Sequence, residues 1–246
     1  MNSPSPILEP SGGDTTSALV RPVLIVVMEG THDLEFLRHI ARVLHAAEGA
    51  IPDVGELAER GELLLLPAGG SPLAPWATRL AALGLPEFHL FDRESGLETR
   101  IRHDLVCQIK GRPNCFAALT RKRALENYLH PRAIAEAGGP EITVTDDNSV
   151  AEMVARRRYC ARPEEPNWWS LSRRGQRRLA CRAKRWLHRW VTPRMTAELL
   201  EERDPEGEVH GWLRMIAEQL PRQALEAGLR QSPCMDGIYT ATSAQQ

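Results

Sequence analysis

The chain has 246 residues, 42% of them apolar and 26% charged, and a net charge of −1. That length suits one sizeable domain or a domain with a smaller appendage, and the composition is that of a soluble globular protein rather than a fibrous or disordered one. No run of about 18 apolar residues occurs, so no membrane-spanning helix is expected.

Residues 1–19 are polar and rich in Pro, Gly, Ser and Thr. They lack the basic start and apolar stretch of a signal peptide and read as a disordered tail. With no export signal legible, the expected location is cytoplasmic. Next comes VLIVVMEGTHDLEFL, residues 23–37. Val23 to Met28 form a continuous β-branched apolar run too short for a helix, the mark of a strand buried on both faces in a parallel sheet. Apolar residues at 34, 37, 40, 41, 43 and 44 then predict a helix over 32–47. Residues 62–66 predict a second strand, AGGS at 68–71 a turn, 72–83 a helix, and 87–91 a third strand. This β-α-β-α-β alternation predicts an α/β domain with a mostly parallel sheet. Residues 95–112 are mixed and polar and read as loop or an extra hairpin. Cys115 to Leu129 reads as a helix stopped by Pro131, and EITVT at 141–145 as a fourth strand. From about Ser149 onwards the pattern is helical, ending in a flexible tail over 231–246.

The five cysteines lie at 107, 115, 160, 181 and 234 without C-x-x-C spacing. A structural zinc site is therefore not expected, and reduced thiols fit a cytoplasmic protein. The histidines form no H-E-x-x-H pattern. His89 reads as a core residue within a strand, and His130 carries no assignment. Trp168 and Trp169 read as core or partner surface before base-stacking platforms.

Two predicted strands end on carboxylates. In parallel α/β sheets, ligand sites lie beyond the carboxyl ends of the strands. Glu29 stands at the end of the first strand, where an unpaired charge is costly. Asp33 follows in the first helical turn, where it equally suits the helix dipole. Asp92 ends the third strand, with Glu94 two residues on. If the strands are neighbours these four acids converge, and such a cluster needs positive charge between its members. All-oxygen ligands suit Mg²⁺ or Mn²⁺ rather than zinc, and such ions commonly act on phosphate esters.

Strand-Glu-Gly-x-x-Asp followed by an acidic strand end resembles the TOPRIM domain of topoisomerases, primases, recombination mediators and OLD-family nucleases. Two stretches, LPAGGSPLAPWATRLAALGLPEFHLFDRE and LTRKRALENYLHPRAI, are similar to the OLD (overcoming lysogenization defect) version. The resemblance covers about residues 21–135, with a weaker echo over 175–221. It implies a TOPRIM domain over 20–148, completed by a helical basic region over 149–230. It also implies a metal-dependent endonuclease that cleaves or nicks DNA with a two-metal Mg²⁺ or Mn²⁺ site. The ligands it implies are Glu29, Asp33, Asp92 and Glu94, with Glu126 as a further ligand or a residue supporting them, and Glu29 also as general base. Glu94 departs from the usual Asp. Without the resemblance Glu126 reads as an exposed acid paired with Lys122 at i−4. The conserved OLD lysine is matched by Lys184, which would stabilise charge on the phosphate. OLD proteins usually carry an ABC-type ATPase ahead of this domain. No G-x-x-x-x-G-K-[ST] segment occurs here, so the chain reads as a free-standing TOPRIM, with any ATPase supplied by a separate chain. A homodimer is compatible with the sequence.

From Arg156 to Arg194 there are thirteen Lys and Arg against Glu164 and Glu165, about +11, which leaves about −12 for the remainder of a chain at −1 overall. Over 176–191 apolar residues 179, 183, 186, 187 and 190 share one helical face, and Arg177, Arg178, Arg182, Arg185 and Arg189 fill much of the rest. A solvated cationic face is the plain reading, and a cradle for a phosphate backbone the sharper one. Two rivals to a DNA endonuclease stand: a small RNA-processing TOPRIM nuclease, and a non-catalytic subunit that docks nucleic acid for a separate ATPase. A topoisomerase is disfavoured, since strand-passage domains are lacking.

Overall fold

The structure, a computed structural model, describes residues 22–69, 73–162 and 164–220. Both expected tails, Gly70 and Ser71 of the 68–71 turn and Cys234 lie outside those residues. Strand β1 (Leu24–Met28) is buried along its whole length and leads through Gly30 into helix α1 (Thr31–Glu48). Helix α2 (Val54–Glu59) follows, started by Asp53, whose carboxylate accepts the N–H groups of Gly55 and Glu56. Next come β2 (Leu63–Pro67), a four-residue helix α3 (Trp76–Arg79), β3 (Glu87–Phe91), α4 (Leu97–Lys110) and β4 (Cys115–Leu119). Helices α5 (Pro131–Glu136), α6 (Val150–Cys160), α7 (Arg173–Trp186), α8 (Ala197–Arg203) and α9 (Glu208–Glu218) complete the chain.

The four strands form one parallel sheet in the order β2-β1-β3-β4. Val26 lies opposite Leu65 on one side and Phe88 on the other, and Phe88 opposite Phe116. β1 and β3 are therefore central neighbours, and their carboxyl ends lie side by side. Side chains alternate across the sheet, as the period of a strand requires. Leu24, Val26 and Met28 join the main core with α1, α2 and the C-terminal helices. Ile25 and Val27 face the other way, towards Leu80 and Trp76, while Leu105, Val106 and Ile109 of α4 cover Phe91 and Ala117. With helices on both faces of a parallel sheet, the fold is the α/β class read from the sequence, consistent with a Rossmann-like TOPRIM arrangement. No helix among the described residues is long and apolar enough to cross a membrane.

Three expectations are corrected. Residues 97–110 form a helix, not a loop or hairpin. Its inward residues Leu105, Val106 and Ile109 sit beside a buried Arg102, and exposed Leu97 and Ile101 blur the apolar stripe. Residues 115–119 form β4, not the start of a helix. CFAAL is short of β-branched residues, and its alanines favour helix, but the open edge of β3 recruits it. Residues 141–145 form no strand. Ile142 and Val144 are buried as the alternation implied. The carbonyls of Thr143 and Thr145, however, are taken by the side-chain amides of Asn148 (2.8 Å) and Asn127 (2.7 Å), which replace a ladder with side-chain bonds.

The C-terminal helices share the core of the sheet. Val154, Leu187, Val191, Leu200, Leu213 and Ile216 belong to the same buried cluster as β1. Trp212 is 2% exposed and meets Tyr128 edge-on, with ring centroids 5.3 Å apart. Trp212→Ala is expected to cost about 3–5 kcal/mol in urea unfolding. The exposed Trp169→Ala should stay within about 0.5 kcal/mol.

Candidate metal centre

Four segments meet beyond the carboxyl ends of β1 and β3. Asp33 comes from the first turn of α1 and Asp92 from the residue after β3. Glu126 comes from a short 3₁₀ turn, Leu125–Tyr128, and Lys184 from the last turn of α7. Asp33, Asp92 and Glu126 are each under 5% exposed. The Lys184 ammonium stands among them, 3.2 Å from Asp33 Oδ1, 3.4 Å from Asp92 Oδ2 and 3.1 Å from Glu126 Oε1. Asp92 Oδ1 also accepts the N–H of Leu125 at 3.0 Å. The turn that carries Glu126 is thereby fastened to the end of β3.

A histidine completes the group. Past Trp186, helix α7 widens into a π-turn over Leu187–Val191, a distortion frequent at functional sites. It directs His188 inward, 2% exposed, with Nε2 2.8 Å from Glu126 Oε1 and 3.9 Å from Asp33 Oδ1. His32 stacks on its ring and Phe36 meets it edge-on. The sequence reading missed His188. The available signal was its position one helical turn after Lys184. The same π-turn explains why Trp190, expected on the buried face, is 49% exposed.

Glu29 has a different environment. Arg102 of α4 grips both its oxygens, at 2.9 and 2.8 Å, and the N–H of Asp92 donates to Oε1 at 3.0 Å. A carboxylate offers about four acceptor positions, and three are filled. Arg102 also donates to Glu98 at 2.9 Å. Burial works against the Arg102 charge, but the Glu29 bonds and charge hold its pKa above the ordinary value. The counter-charge that a buried Glu29 demands was foreseeable; that Arg102 would supply it was not. Glu94 pairs with Arg123 at 3.7 Å rather than with Lys184, from a backbone at φ 57°. Glu126 does not pair with Lys122, which goes to Asp146 at 2.5 Å. His89 lies buried in β3, 2.8 Å from Glu87. His130 starts α5 and reaches Glu202 at 3.0 Å, so neither histidine joins the group. Trp168 is buried and Trp169 70% exposed.

The charges are unequal. Three carboxylates face one ammonium, a net of −2 when all are ionised. Burial drives the Asp92 carboxyl well above the usual range; Lys184 opposes this, and the charges of Asp33, Glu126 and Glu29 add to it. Burial also pulls on Glu126, but the Lys184 charge and the His188 hydrogen bond hold it well below the usual range. Lys184, despite its burial, is held well above its usual value by Glu126, Asp92 and Asp33.

The donor set fits a divalent cation on three observations. Asp33, Glu126 and His188 each present one ligand atom, all within 4.8 Å of one another. Asp33 Oδ1 makes the Lys184 ion pair but accepts no hydrogen bond, although it is buried. The excess charge of −2 equals the charge of one such ion. A nitrogen donor among carboxylates favours Mn²⁺ over Mg²⁺, which prefers oxygen.

Arg177, Arg178, Arg182, Arg185 and Arg189 are all exposed. Among the described residues none of the five pairs with a carboxylate within 4 Å. Arg189 lies over the ring of Trp190, 5.4 Å from its centroid.

No family model matches the chain, and no curated protein matches it. Two solved structures of the C-terminal region of the Xanthomonas campestris pv. campestris OLD protein, phased with iodine and with platinum, are similar to it in arrangement. They are 15% and 16% identical, with TM-scores of 0.33 and 0.32, and the alignment covers 85% of this chain and 93% and 91% of theirs.

A cation that relieves this charge excess stabilises the folded state. Mn²⁺ at about 100 times its dissociation constant should add about 2.7 kcal/mol, read as a rise in melting temperature that Glu126→Gln or Asp33→Asn removes. In metal-free protein the raised pKa of Asp92 gives a stabilising contribution that is present at acid pH and lost as pH rises through its folded value. Asp92→Asn should therefore melt above wild type at pH 7, with the gap closing as pH falls.

Proposed function

We propose that the chain is a metal-dependent phosphodiesterase of the OLD-like TOPRIM type that nicks or cleaves DNA. The observation that carries this reading is the convergence of Asp33, Asp92 and Glu126 on Lys184, with His188 bonded to Glu126, at the carboxyl ends of two neighbouring parallel strands. A pure binder of nucleic acid has no use for buried acids there, since they repel phosphate.

Asp33, Glu126 and His188 would hold the ion, with Asp92 beside them. A divalent ion bound there lowers the pKa of water and neutralises phosphate charge. The protein's own groups have separate tasks. In the metal-free protein His188 holds the Glu126 carboxylate through Nε2, and the stacked His32 and edge-on Phe36 fix the imidazole. Lys184 holds the carboxylates by charge, and donates a hydrogen bond to Asp92 Oδ2 at 3.4 Å. With a cation bound there, the three N–H groups of Lys184 would be available to the phosphate oxygens, where charge develops. Glu29, read from the sequence as general base, is held by three hydrogen bonds. We assign it a positioning role: it fixes the Asp92 backbone and is itself fixed by Arg102. The overall change is water plus phosphodiester to phosphomonoester plus alcohol.

The exposed arginines of α7 flank Lys184 on the same helix, so a backbone lying along them passes the acids. The direct test is nicking of supercoiled plasmid with Mn²⁺ or Mg²⁺. Wild type should nick in metal and not in EDTA. Asp33→Asn and Asp92→Ala should abolish nicking, and Lys184→Ala should slow it by about 10²–10³-fold. Nicking without metal, or nicking unchanged in both acid variants, defeats the proposal.

A further inference from the structure

A second cleft lies on the opposite side of α7 from the acidic group. Ala183 lines it, whereas Lys184, the next residue, enters the acids. The cleft runs between α6 and α7 with a volume of about 170 Å³. At about 30 Å³ for each liquid water, that is room for a small aromatic or sugar-sized body rather than a single ion.

Its chemistry is divided. The floor is apolar, built from Ala155, Leu179 and Ala183, with the ring of Tyr159 beside them. The rim carries three guanidiniums, Arg158 and Arg162 from the end of α6 and Arg182 from α7. Among the described residues, Arg158 and Arg182 have no carboxylate within 4 Å. One acid, the half-buried Glu165, stands 3.7 Å from Arg162 and also engages the Tyr159 side chain, and a pair of that length on the exposed Arg162 holds little. Burial, and after it the Arg162 charge, pulls the Arg158 pKa down.

The rim is also pre-set. The Arg158 guanidinium lies 3.9 Å from the ring centroid of Trp186, a stacked geometry that fixes its plane. Trp186 is fixed in turn by Gly139, where even a Cβ would come within 2.7 Å of the indole. A planar donor fork held this way suits the paired oxygens of a phosphate.

We propose that this cleft binds a nucleotide unit, with its base on the apolar floor and its phosphate at Arg158, Arg162 and Arg182. An anion alone would leave the floor empty, and an apolar body alone would leave the guanidiniums crowded. A phosphorylated base satisfies both. The unit is either a free mononucleotide or the terminal nucleotide of a strand, and two probes separate these. Binding here does not depend on the acidic group, so it stands even if no cleavage is found.

The test is calorimetric titration of the full chain in EDTA with inorganic phosphate, dAMP, and a dT hexamer with or without a 5′-phosphate. Both dAMP and the 5′-phosphorylated hexamer should bind at least about tenfold more tightly than phosphate. If dAMP matches the hexamer, the ligand is a free nucleotide. If the 5′-phosphorylated hexamer exceeds both dAMP and its 5′-hydroxyl form, the ligand is a strand end. Arg158→Gln/Arg162→Gln should lose about tenfold or more, while Arg173→Gln/Arg174→Gln, with the same charge change on exposed residues, should lose under about twofold. The single exposed change Arg182→Gln gives the same comparison should the double variant fail to fold. Equal losses in the two double variants would show diffuse attraction and overturn the cleft. Phosphate binding as tightly as dAMP would overturn the nucleotide.

Discussion

The Lys184 ammonium is the contact on which the site depends. It joins α1 through Asp33, the end of β3 through Asp92 and the 3₁₀ turn through Glu126. Three carboxylates buried this close cannot all stay ionised without compensation. One cation from a distant part of the sequence makes the arrangement tolerable, and the charge of −2 that remains when all three acids are ionised keeps the group receptive to another. The C-terminal helices are therefore more than a cover for the core. They deliver the charge that lets the strand ends hold their acids.

The legible part of this protein is the part governed by local rules. β1 announced itself by a β-branched run that water could not border, and β3 by an apolar run ending on Asp92. Their carboxylates followed from the rule that parallel sheets present sites at strand ends. What escaped was set by partners far along the chain. CFAAL is a strand because β3 offers an edge. EITVT is not a strand because Asn127 and Asn148 cap its carbonyls. Glu29 joins the acids by position but is bonded to Arg102, 73 residues away. His188 became visible only through the π-turn. Sequence spacing carries no information on such pairings until the topology fixes which elements meet.

The charge separation has a structural counterpart. Thirteen of the basic residues fall between 156 and 194, on α6, α7 and the turns around them. One helix, α7, then serves two electrostatic regimes: Lys184 is neutralised in a pocket of acids while the arginines around it face solvent unpaired. Under the proposed function, a polyanion drawn to the arginines would be carried towards the acids, which would repel it until a cation was bound.

The π-turn at 187–191 has a consequence for how this protein can vary. A helix with one residue too many in a turn is sensitive to length rather than to chemistry. Removing one residue between Lys184 and His188 would rotate His188 and everything after it by roughly 100°, separating the two in orientation although both residues remain. Point substitutions at Arg189 or Trp190 would leave that relation untouched. Across a lineage, Arg189 and Trp190 should change freely, whereas the length of the segment should hardly change at all.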